Sequence, residues 1–160
     1  MNDTPTPATS SQLPLFVEEV ALILEQSGLN RTAGRILGRL LVCEPAHQSS
    51  KELADALHVS RASISTGTRL LLQLKMLRKV PVHASRETYF ALSDTAWSDL
   101  MQGELARVLR MRELAQRGLE MVAAEGVAPQ RMHDFHEWFA FFEQEFPALI
   151  ERFEAQRTSR

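Results

Sequence analysis

The fold of this chain is decided between Ser49 and Leu92, which read SSKELADALHVSRASISTGTRLLLQLKMLRKVPVHASRETYFAL. The first four letters, SSKE, form a capping box. In this motif the Ser49 hydroxyl accepts a hydrogen bond from the Glu52 amide and the Glu52 carboxylate accepts one from the Ser49 amide. A short helix is therefore expected to begin at Ser49, and its inward-facing residues are Leu53, Ala54 and Leu57.

A second, longer helix is predicted after a three-residue turn. Ser60 is a suitable N-cap, and the helix is expected to run to about Met76. His58 falls at the turn, where a left-handed backbone is usually supplied by glycine, and histidine tolerates that conformation better than most residues. The side chains expected to pack between the two helices, or on the inner side of the second, are Ala54, Val59, Ile64, Leu71 and Leu74.

From Arg78 onward the apolar period changes from that of a helix to that of a strand. Val80 and Val82 alternate with polar residues, and after a polar break Thr88, Phe90 and Leu92 do the same. Two strands joined near Ala84-Ser85-Arg86 would form a hairpin, with Pro81 restricting its strand to the edge of a sheet.

This order of elements predicts a winged helix-turn-helix. In that module the second helix of the pair lies in the major groove of DNA, which is about 12 Å wide, while the first braces it across the backbone. We call its predicted outward face the recognition face, and it comprises Arg61, Ala62, Ser65, Thr66 and Arg69. The alternative is that this face is polar only because it is exposed to solvent. The capping box, the small Ala54 and the following hairpin occur together, and this combination favours DNA binding over that alternative.

Other side chains in this stretch are expected to contact the DNA backbone. Arg86, at the hairpin tip, would contact the minor groove or a phosphate. Lys75, Arg78 and Lys79 would bind the sugar-phosphate backbone. Ser50 and Lys51 lie at a helix N-terminus, whose free amides favour phosphate.

The charge distribution supports a module of this kind more than the net charge does. The 160-residue chain carries a formal net charge of only −2. From Ser49 to Phe90, however, seven Lys/Arg face three Asp/Glu, whereas after Phe90 eight Arg face twelve Asp/Glu. A basic centre beside an acidic C-terminal region is typical of a DNA-binding module attached to a part that does not touch DNA.

Helical periodicity surrounds the module on both sides. Apolar residues recur from Leu15 to Leu24, and from Arg31 to Cys43, where Gly34 and Gly38 are interpreted as a close packing face. Further helices are expected from Asp94 to about Glu125 and from Pro129 nearly to the C-terminus. The sequence thus predicts a mainly α protein: a tail at 1–12, a winged helix-turn-helix domain with three core helices and a β-hairpin wing at 13–92, and a C-terminal helical region at 93–160.

The last helix carries an apolar seam at alternating spacings of three and four residues. Its members are Met132, Phe135, Phe139, Phe142, Phe146, Leu149 and Phe153. Such a seam predicts packing against the preceding helix and against a second copy of the chain. A homodimer is expected also because a helix-turn-helix usually binds two half-sites of a pseudo-palindromic operator, roughly 34 to 36 Å apart.

Several blocks of the sequence resemble the GbsR branch of MarR-type regulators. They are GLNRTAGRILG at 28–38, SSKELADAL at 49–57, VSRASIS at 59–65, RETYF at 86–90, and Trp97. The resemblance implies a winged-helix homodimer held by terminal helices, usually a repressor, here of a nearby operon and relieved or tuned by a small ligand. The sequence departs from the family pattern at two places, His58 at the turn and Ala84-Ser85 in the wing. These departures affect the expected conformation of the wing more than the expected fold.

The same resemblance suggests a quaternary ammonium ligand, for which an aromatic cage is physically apt. Tyr89, Trp97 and Trp138 are the candidate effector-binding residues, and core packing explains these aromatic side chains as well.

Other functions receive less support. His133, His136 and Glu137 could share a helical face, but the histidines are three residues apart and a solvated or interface pair is favoured over a metal site. Cys43, the single cysteine, has Glu44 as its nearest charge, which disfavours a reactive thiolate. No cofactor, enzyme motif, signal peptide or membrane segment is expected. The protein is expected to be intracellular and cytoplasmic. The remaining alternative is a winged helix that binds protein partners without specific DNA binding.

Overall fold

The computed structural model describes residues 12–127 and 129–158. The predicted tail at 1–12 lies outside these residues except for Gln12, which begins the first helix. In chain order the described elements are α1 (Gln12–Gln26), α2 (Arg31–Val42), β1 (Gln48–Ser49), α3 (Ser50–Leu57), α4 (Arg61–Gln73), β2 (Leu77–Val80), β3 (Tyr89–Leu92), α5 (Ala96–Ala124) and α6 (Gln130–Thr158). The chain divides into two compact units, the first ending at Ala96 and the second beginning at Trp97.

The core of the first unit lies among α2, α3 and α4. Its largest fully buried apolar side chains are Ile36, Leu37, Leu53, Ile64 and Leu71. They come from all three helices, so that each helix buries one apolar face against the other two. The small sheet completes this unit. The prediction of a mainly α winged helix-turn-helix with two long C-terminal helices is confirmed.

Helix α1 packs closely on α2 at the two glycines. A Cβ atom added to Gly34 would lie 2.7 Å from the Ala21 Cα atom, and one added to Gly38 would lie 3.2 Å from the Val17 Cα atom. Only glycine allows the two backbones to approach this far, which confirms the predicted packing face. The opposite side of α1 is apolar and exposed, with Leu15, Leu22 and Ile23 among its residues.

The helix starts and the turn follow local side-chain chemistry. The Asn30 side chain accepts a hydrogen bond from the Ala33 amide at the start of α2. Both halves of the capping box at Ser49 are formed, and the Ser60 hydroxyl accepts from the Ser63 amide at the start of α4. His58 is left-handed, with φ 52° and ψ 44°, as predicted from its place in the turn.

The predicted end of α4 is wrong by three residues. The helix stops at Gln73 rather than near Met76, because Lys75 takes a left-handed conformation with φ 57°. Met76 then donates its amide to the Leu71 carbonyl and is buried, while Leu77 already belongs to β2. Leu74, predicted to face inward, is 41% exposed because the helix has already ended.

The sheet is antiparallel, with strand order β1-β3-β2. Strand β1 was not predicted. It pairs Gln48 with Phe90 and Ser49 with Tyr89, which makes β3 the middle strand. Phe90 and Ala91 are therefore both buried, one on each face of the sheet. Strand β2 pairs with β3 from Leu77–Leu92 to Val80–Tyr89 and ends before Pro81, so the predicted strand residues Val82 and Thr88 lie in the connection instead.

The second unit consists of α5 and α6. Gly126, with φ 71°, ends the first of these helices, and the second begins after Pro129, whose carbonyl accepts the Met132 amide. Met132 also packs onto Gly118, where an added Cβ atom would lie 2.6 Å from the methionine methyl group. None of the described helices is both long enough and apolar enough to cross a membrane.

Candidate nucleic-acid interface

The helix-turn-helix is built by α3, the turn around His58, and α4. At the turn the amides of His58 and Val59 donate to carbonyls in the last turn of α3, and Ser60 then caps α4. Ala54 is buried on α3, and Val59 is half-buried in the turn. The turn thus holds α4 at a fixed angle to α3, with its N-terminus at the surface.

Helix α4 presents two different faces. Its inner face buries Ile64, Gly67, Thr68 and Leu71. The recognition face on the other side is exposed at all five of its residues, Arg61, Ala62, Ser65, Thr66 and Arg69. Within the described part of the chain, neither Arg61 nor Arg69 is engaged in an ion pair or a hydrogen bond. Both guanidinium groups are available to a ligand, and Arg can form bidentate hydrogen bonds with guanine or phosphate.

Gly67 explains how α4 comes so close to α2. A Cβ atom added there would lie 2.7 Å from the Ile36 Cδ1 atom and 3.4 Å from the Ala33 amide nitrogen. The importance of this glycine was not predicted from the sequence. Its position between Thr66 and Thr68, inside a helix that otherwise has good caps, was the available signal.

A groove between α3, α4 and the sheet brings several predicted residues together. It is lined by Ser50, Ser65, Thr68, Arg69, Leu72, Lys79, Thr88 and Phe90. Arg69 and Lys79 place two cationic side chains in one groove with the Ser50 and Thr88 hydroxyls, which is a set of donors suited to phosphate oxygens. Thr88 was predicted as a strand residue. Its place in this groove was missed, because it depends on β1 joining the sheet and on the Ser50 amide bonding to the Thr88 carbonyl at 3.2 Å.

We use the name wing for residues 81–88, which connect β2 to β3. Ala84 adopts φ 61° without being glycine, and the Ser85 amide donates to the Val82 carbonyl at 3.3 Å. The Ser85 hydroxyl accepts the Glu87 amide. These bonds form a local turn that leaves Arg86 exposed.

The remaining basic residues predicted for backbone contact lie apart from this groove. Lys51 is exposed on the first turn of α3. Lys75 is exposed between α4 and β2. The Arg78 guanidinium lies 3.8 Å from the Asp94 carboxylate, which partly neutralises its charge. Lys79, which lines the groove beside the recognition face, is therefore the better placed of the two to contact a phosphate.

The three candidate effector-binding aromatics have different surroundings. Tyr89 belongs to the first unit, where its ring packs edge-on against His47. Trp97 lines a cavity of about 430 Å³ in the second unit, together with Ser98, Met101, Phe146, Leu149, Ile150 and Phe153. Trp138 is not among the lining residues and packs on Phe142, with ring centroids 5.0 Å apart. The cavity lining is almost wholly apolar.

The predicted seam of α6 is only partly covered within one chain. Phe135, Phe139, Phe142 and Phe146 are half-buried, while Leu149 and Phe153 are about half exposed. The Phe135 ring packs edge-on against Phe139, and the Phe142 ring packs at a tilt against Phe146. On the same helix Trp138 and Phe141 are 61% and 57% exposed. No described residue of α6 is fully buried.

The other candidate sites remain isolated. Among the described residues no group of three His, Cys, Asp or Glu side chains is close enough to hold a metal ion. Cys43 is buried, and this burial raises the pKa of its thiol against the smaller lowering effect of Arg39. A raised pKa leaves less thiolate at neutral pH, so Cys43 is a poor nucleophile.

A winged helix-turn-helix with an exposed basic helix and an adjacent cationic groove defines the class of DNA-binding transcriptional regulators. A family model described as MmpR5-like MarR family transcriptional regulator matches residues 95–156. The HTH-type transcriptional regulator MmpR5 of Mycobacterium tuberculosis is 37% identical over 147 residues, covering 89% of this chain and 87% of that protein. A crystal structure of a transcriptional regulator superposes with a TM-score of 0.71 at 32% identity, over 90% of this chain and 99% of that chain.

The chain therefore belongs to the MarR family of transcriptional regulators and is a DNA-binding regulator. The resemblance noted in the sequence is thus correct at the level of the family.

Proposed function

We propose that this protein is a homodimeric repressor that binds a pseudo-palindromic operator near its own gene through the recognition face of α4. The observation that supports this most directly is the contrast between the two faces of α4: one is buried and packs on α2, and the other exposes five side chains suited to bases and phosphates. The domain at 13–92 then binds DNA, and the region at 93–160 dimerises. The proposal includes a cytoplasmic location and a role in binding rather than catalysis.

Each residue of the recognition face has a defined role in this proposal. Arg61, in the first turn of α4, lies where recognition helices enter the major groove, and we assign it to a guanine. Ala62 and the Thr66 methyl group would meet a thymine methyl. Ser65 and Arg69 lie at the edge of the groove that contains Lys79, so they would bind the phosphate backbone beside the bases.

The wing and the start of α3 extend this contact along the backbone. Ser50 offers a hydroxyl and Lys51 an ammonium group to a phosphate, while the Ser50 amide is already bonded to the Thr88 carbonyl. Arg86, exposed on the wing, would enter the adjacent minor groove, and Lys75 would contact the backbone on the same side of the module. These contacts add affinity that depends strongly on salt and little on sequence.

The uncovered apolar surface of α6 supports dimerisation through this helix. Within one chain the seam residues Phe135, Phe139, Phe142, Phe146, Leu149 and Phe153 leave large aromatic and aliphatic areas facing solvent. Burying such surface contributes about 25 cal/mol per Å², which strongly favours covering it with the same helix of a second copy. Sizing by light scattering at micromolar concentration should give a dimer, and a monomer there would contradict this part of the proposal.

A small ligand that tunes DNA binding is part of the same proposal, as is membership of the GbsR branch. Of the three aromatic candidates Trp97 has the best support, since it lines the cavity of the second unit. Trp138 and Tyr89 stay candidates without that support. In a Trp138→Phe variant, choline should change the fluorescence of the remaining Trp97, and unchanged fluorescence at millimolar choline would contradict a quaternary ammonium ligand at this cavity.

The test of DNA binding is a gel-shift titration of the dimer against the intergenic DNA upstream of its own gene, with unrelated DNA as competitor. Wild type should bind specifically and with a steep salt dependence. An Arg61→Ala/Arg69→Ala variant should lose specific binding. The matched control is Arg110→Ala/Arg117→Ala, which removes two exposed arginines from α5 and should bind like wild type. Equal binding by both variants would contradict the assignment of the recognition face and favour a protein-binding module.

A further inference from the structure

A network of ion pairs joins α1 to α2 on the first unit. Glu18 of α1 engages two arginines one turn apart on α2: its Oε1 atom lies 2.6 Å from Arg35 Nε, and its Oε2 atom lies 2.9 Å from Arg31 Nη2. Arg31 is also 3.6 Å from Glu25. The Arg31 side chain is 47% exposed and that of Arg35 only 23%, so the Arg35 pair is the better shielded from solvent.

Arg35 makes a second contact on the other side of its guanidinium group. Its Nη2 atom donates a hydrogen bond of 2.8 Å to the carbonyl oxygen of Leu57, which is 22 residues further along the chain. Leu57 is the last residue of α3 and is buried. One planar side chain therefore connects α1 to the end of α3.

The Leu57 carbonyl has a physical need for this partner. The last four carbonyls of a helix lack an amide four residues ahead, and here the amides of His58 and Val59 turn back to carbonyls at Ala54 and Asp55. The Arg35 guanidinium satisfies the Leu57 oxygen, and its positive charge is favourable at the negative end of the α3 dipole. Without it, a largely buried acceptor would lose its bond.

We propose that Arg35 is a positioning residue for DNA binding, holding the end of α3 to Glu18 and thereby fixing the angle at which α4 leaves the turn. This inference rests on the proposed role of α4. Leu57 precedes the left-handed His58, and Ser60 caps α4 only two residues later, so a shift of the Leu57 carbonyl moves the start of the recognition face. Arg35 itself is not part of the recognition face, and its guanidinium group contacts Glu18 and the Leu57 carbonyl.

The test compares Arg35→Met with Arg31→Met as the matched control. Methionine keeps much of the side-chain length but cannot donate a hydrogen bond, and the control removes the exposed arginine of the same cluster. At low temperature, where both variants are folded by circular dichroism, we expect Arg35→Met to bind operator DNA about tenfold more weakly. Arg31→Met is the control for the turn and not for DNA affinity, because Arg31 lines a surface groove with Ala62 and Thr66 of the recognition face. Arg35→Lys should fail to restore binding, since one ammonium group cannot span both partners.

Two further measurements separate positioning from other roles. In a salt titration the slope of log K against log salt should be the same for Arg35→Met and wild type, because no phosphate contact is lost. In DNA-free protein, hydrogen exchange at the Val59 amide should accelerate in Arg35→Met and not in Arg31→Met.

The outcomes that overturn the inference are equally specific. A folded Arg35→Met variant with unchanged operator affinity would limit Arg35 to a structural role, and a slope reduced by about 1 would make it a direct phosphate contact. If wild type itself fails to bind DNA, the proposed function fails, while unchanged exchange at Val59 would separately disprove the link to the turn.

Discussion

Ser49 and Glu52 hold each other at the start of α3: the Ser49 amide donates to the Glu52 carboxylate at 2.7 Å, and the Glu52 amide donates to the Ser49 hydroxyl at 3.1 Å. Ser49 is at the same time paired with Tyr89 in the sheet. The capping box therefore fixes the N-terminus of α3 against the strand that leads out of the wing. This places Ser50, and the phosphate groove it lines, in a defined position relative to the hairpin.

Glu52 should make the stability of the protein depend on pH. Its hydrogen bond from the Ser49 amide lowers the pKa of the Glu52 carboxyl. Because the pKa is lower in the folded than in the unfolded protein, the ionised Glu52 carboxylate stabilises the fold. This stabilisation is complete above the unfolded-state pKa of about 4.3 and is lost as the pH falls through the folded-state pKa. Glutamine keeps the acceptor for the Ser49 amide but not the charge. Glu52→Gln should therefore be less stable than wild type at pH 7, with the difference shrinking between about pH 5 and pH 3.

Urea unfolding at fixed protein concentration, followed by circular dichroism across this range, measures the difference. Glu19→Gln is the control, since Glu19 is exposed on α1 and takes no part in a cap. A stability difference for Glu52→Gln that stays constant from pH 7 to pH 3 would show that the charge of Glu52 does not act through the capping box.

His58→Gly should stabilise the protein. His58 holds a left-handed backbone at φ 52°, a conformation that glycine adopts without steric cost. After allowing for the greater freedom of glycine in the unfolded chain, we expect a gain of about 0.5 to 1 kcal/mol in the free energy of unfolding. The matched control is His83→Gly, because His83 is exposed and has no positive φ, so that glycine there should give no gain. Equal effects of the two substitutions would contradict this account of the turn.

Gly34→Ala should destabilise the protein by about 1 to 3 kcal/mol. The added methyl group would meet the Ala21 backbone at 2.7 Å, and backbone cannot move aside as a flexible side chain can. Gly103→Ala provides the contrast: an added Cβ atom there has no neighbour within 4 Å, and alanine favours the helix by up to about 1 kcal/mol. Thermal unfolding of both variants compares the two sites, and a Gly34→Ala protein as stable as wild type would show that α1 is not held closely to α2.

Local chemistry explains why so much of the helix-turn-helix could be predicted. The capping box at Ser49, the cap at Ser60 and the left-handed turn at His58 each depend on residues within a few positions of one another, and the structure forms all three. The recognition face could be listed for the same reason, since the helical repeat and one buried face determine the exposed one.

The features that were missed depend on contacts distant in sequence. Strand β1 has only two residues and no apolar period, so it exists only because β3 is there to pair with it. The early end of α4 results from the left-handed Lys75, a residue without strong preference for that conformation. The hydrogen bond from Arg35 to the Leu57 carbonyl joins residues 22 positions apart, and no local sequence pattern in either segment predicts it.

The most direct test of the central claim is the affinity of wild type and Arg61→Ala for operator variants changed at one base pair at a time. If the recognition face contacts bases, Arg61→Ala should lose about 1 to 3 kcal/mol of discrimination at one position in each half-site and keep its preferences elsewhere. Lys79→Ala, the control, should weaken binding to all variants alike, with a salt slope lower by about 1. A uniform loss for Arg61→Ala, with every base preference retained, would contradict base recognition by α4.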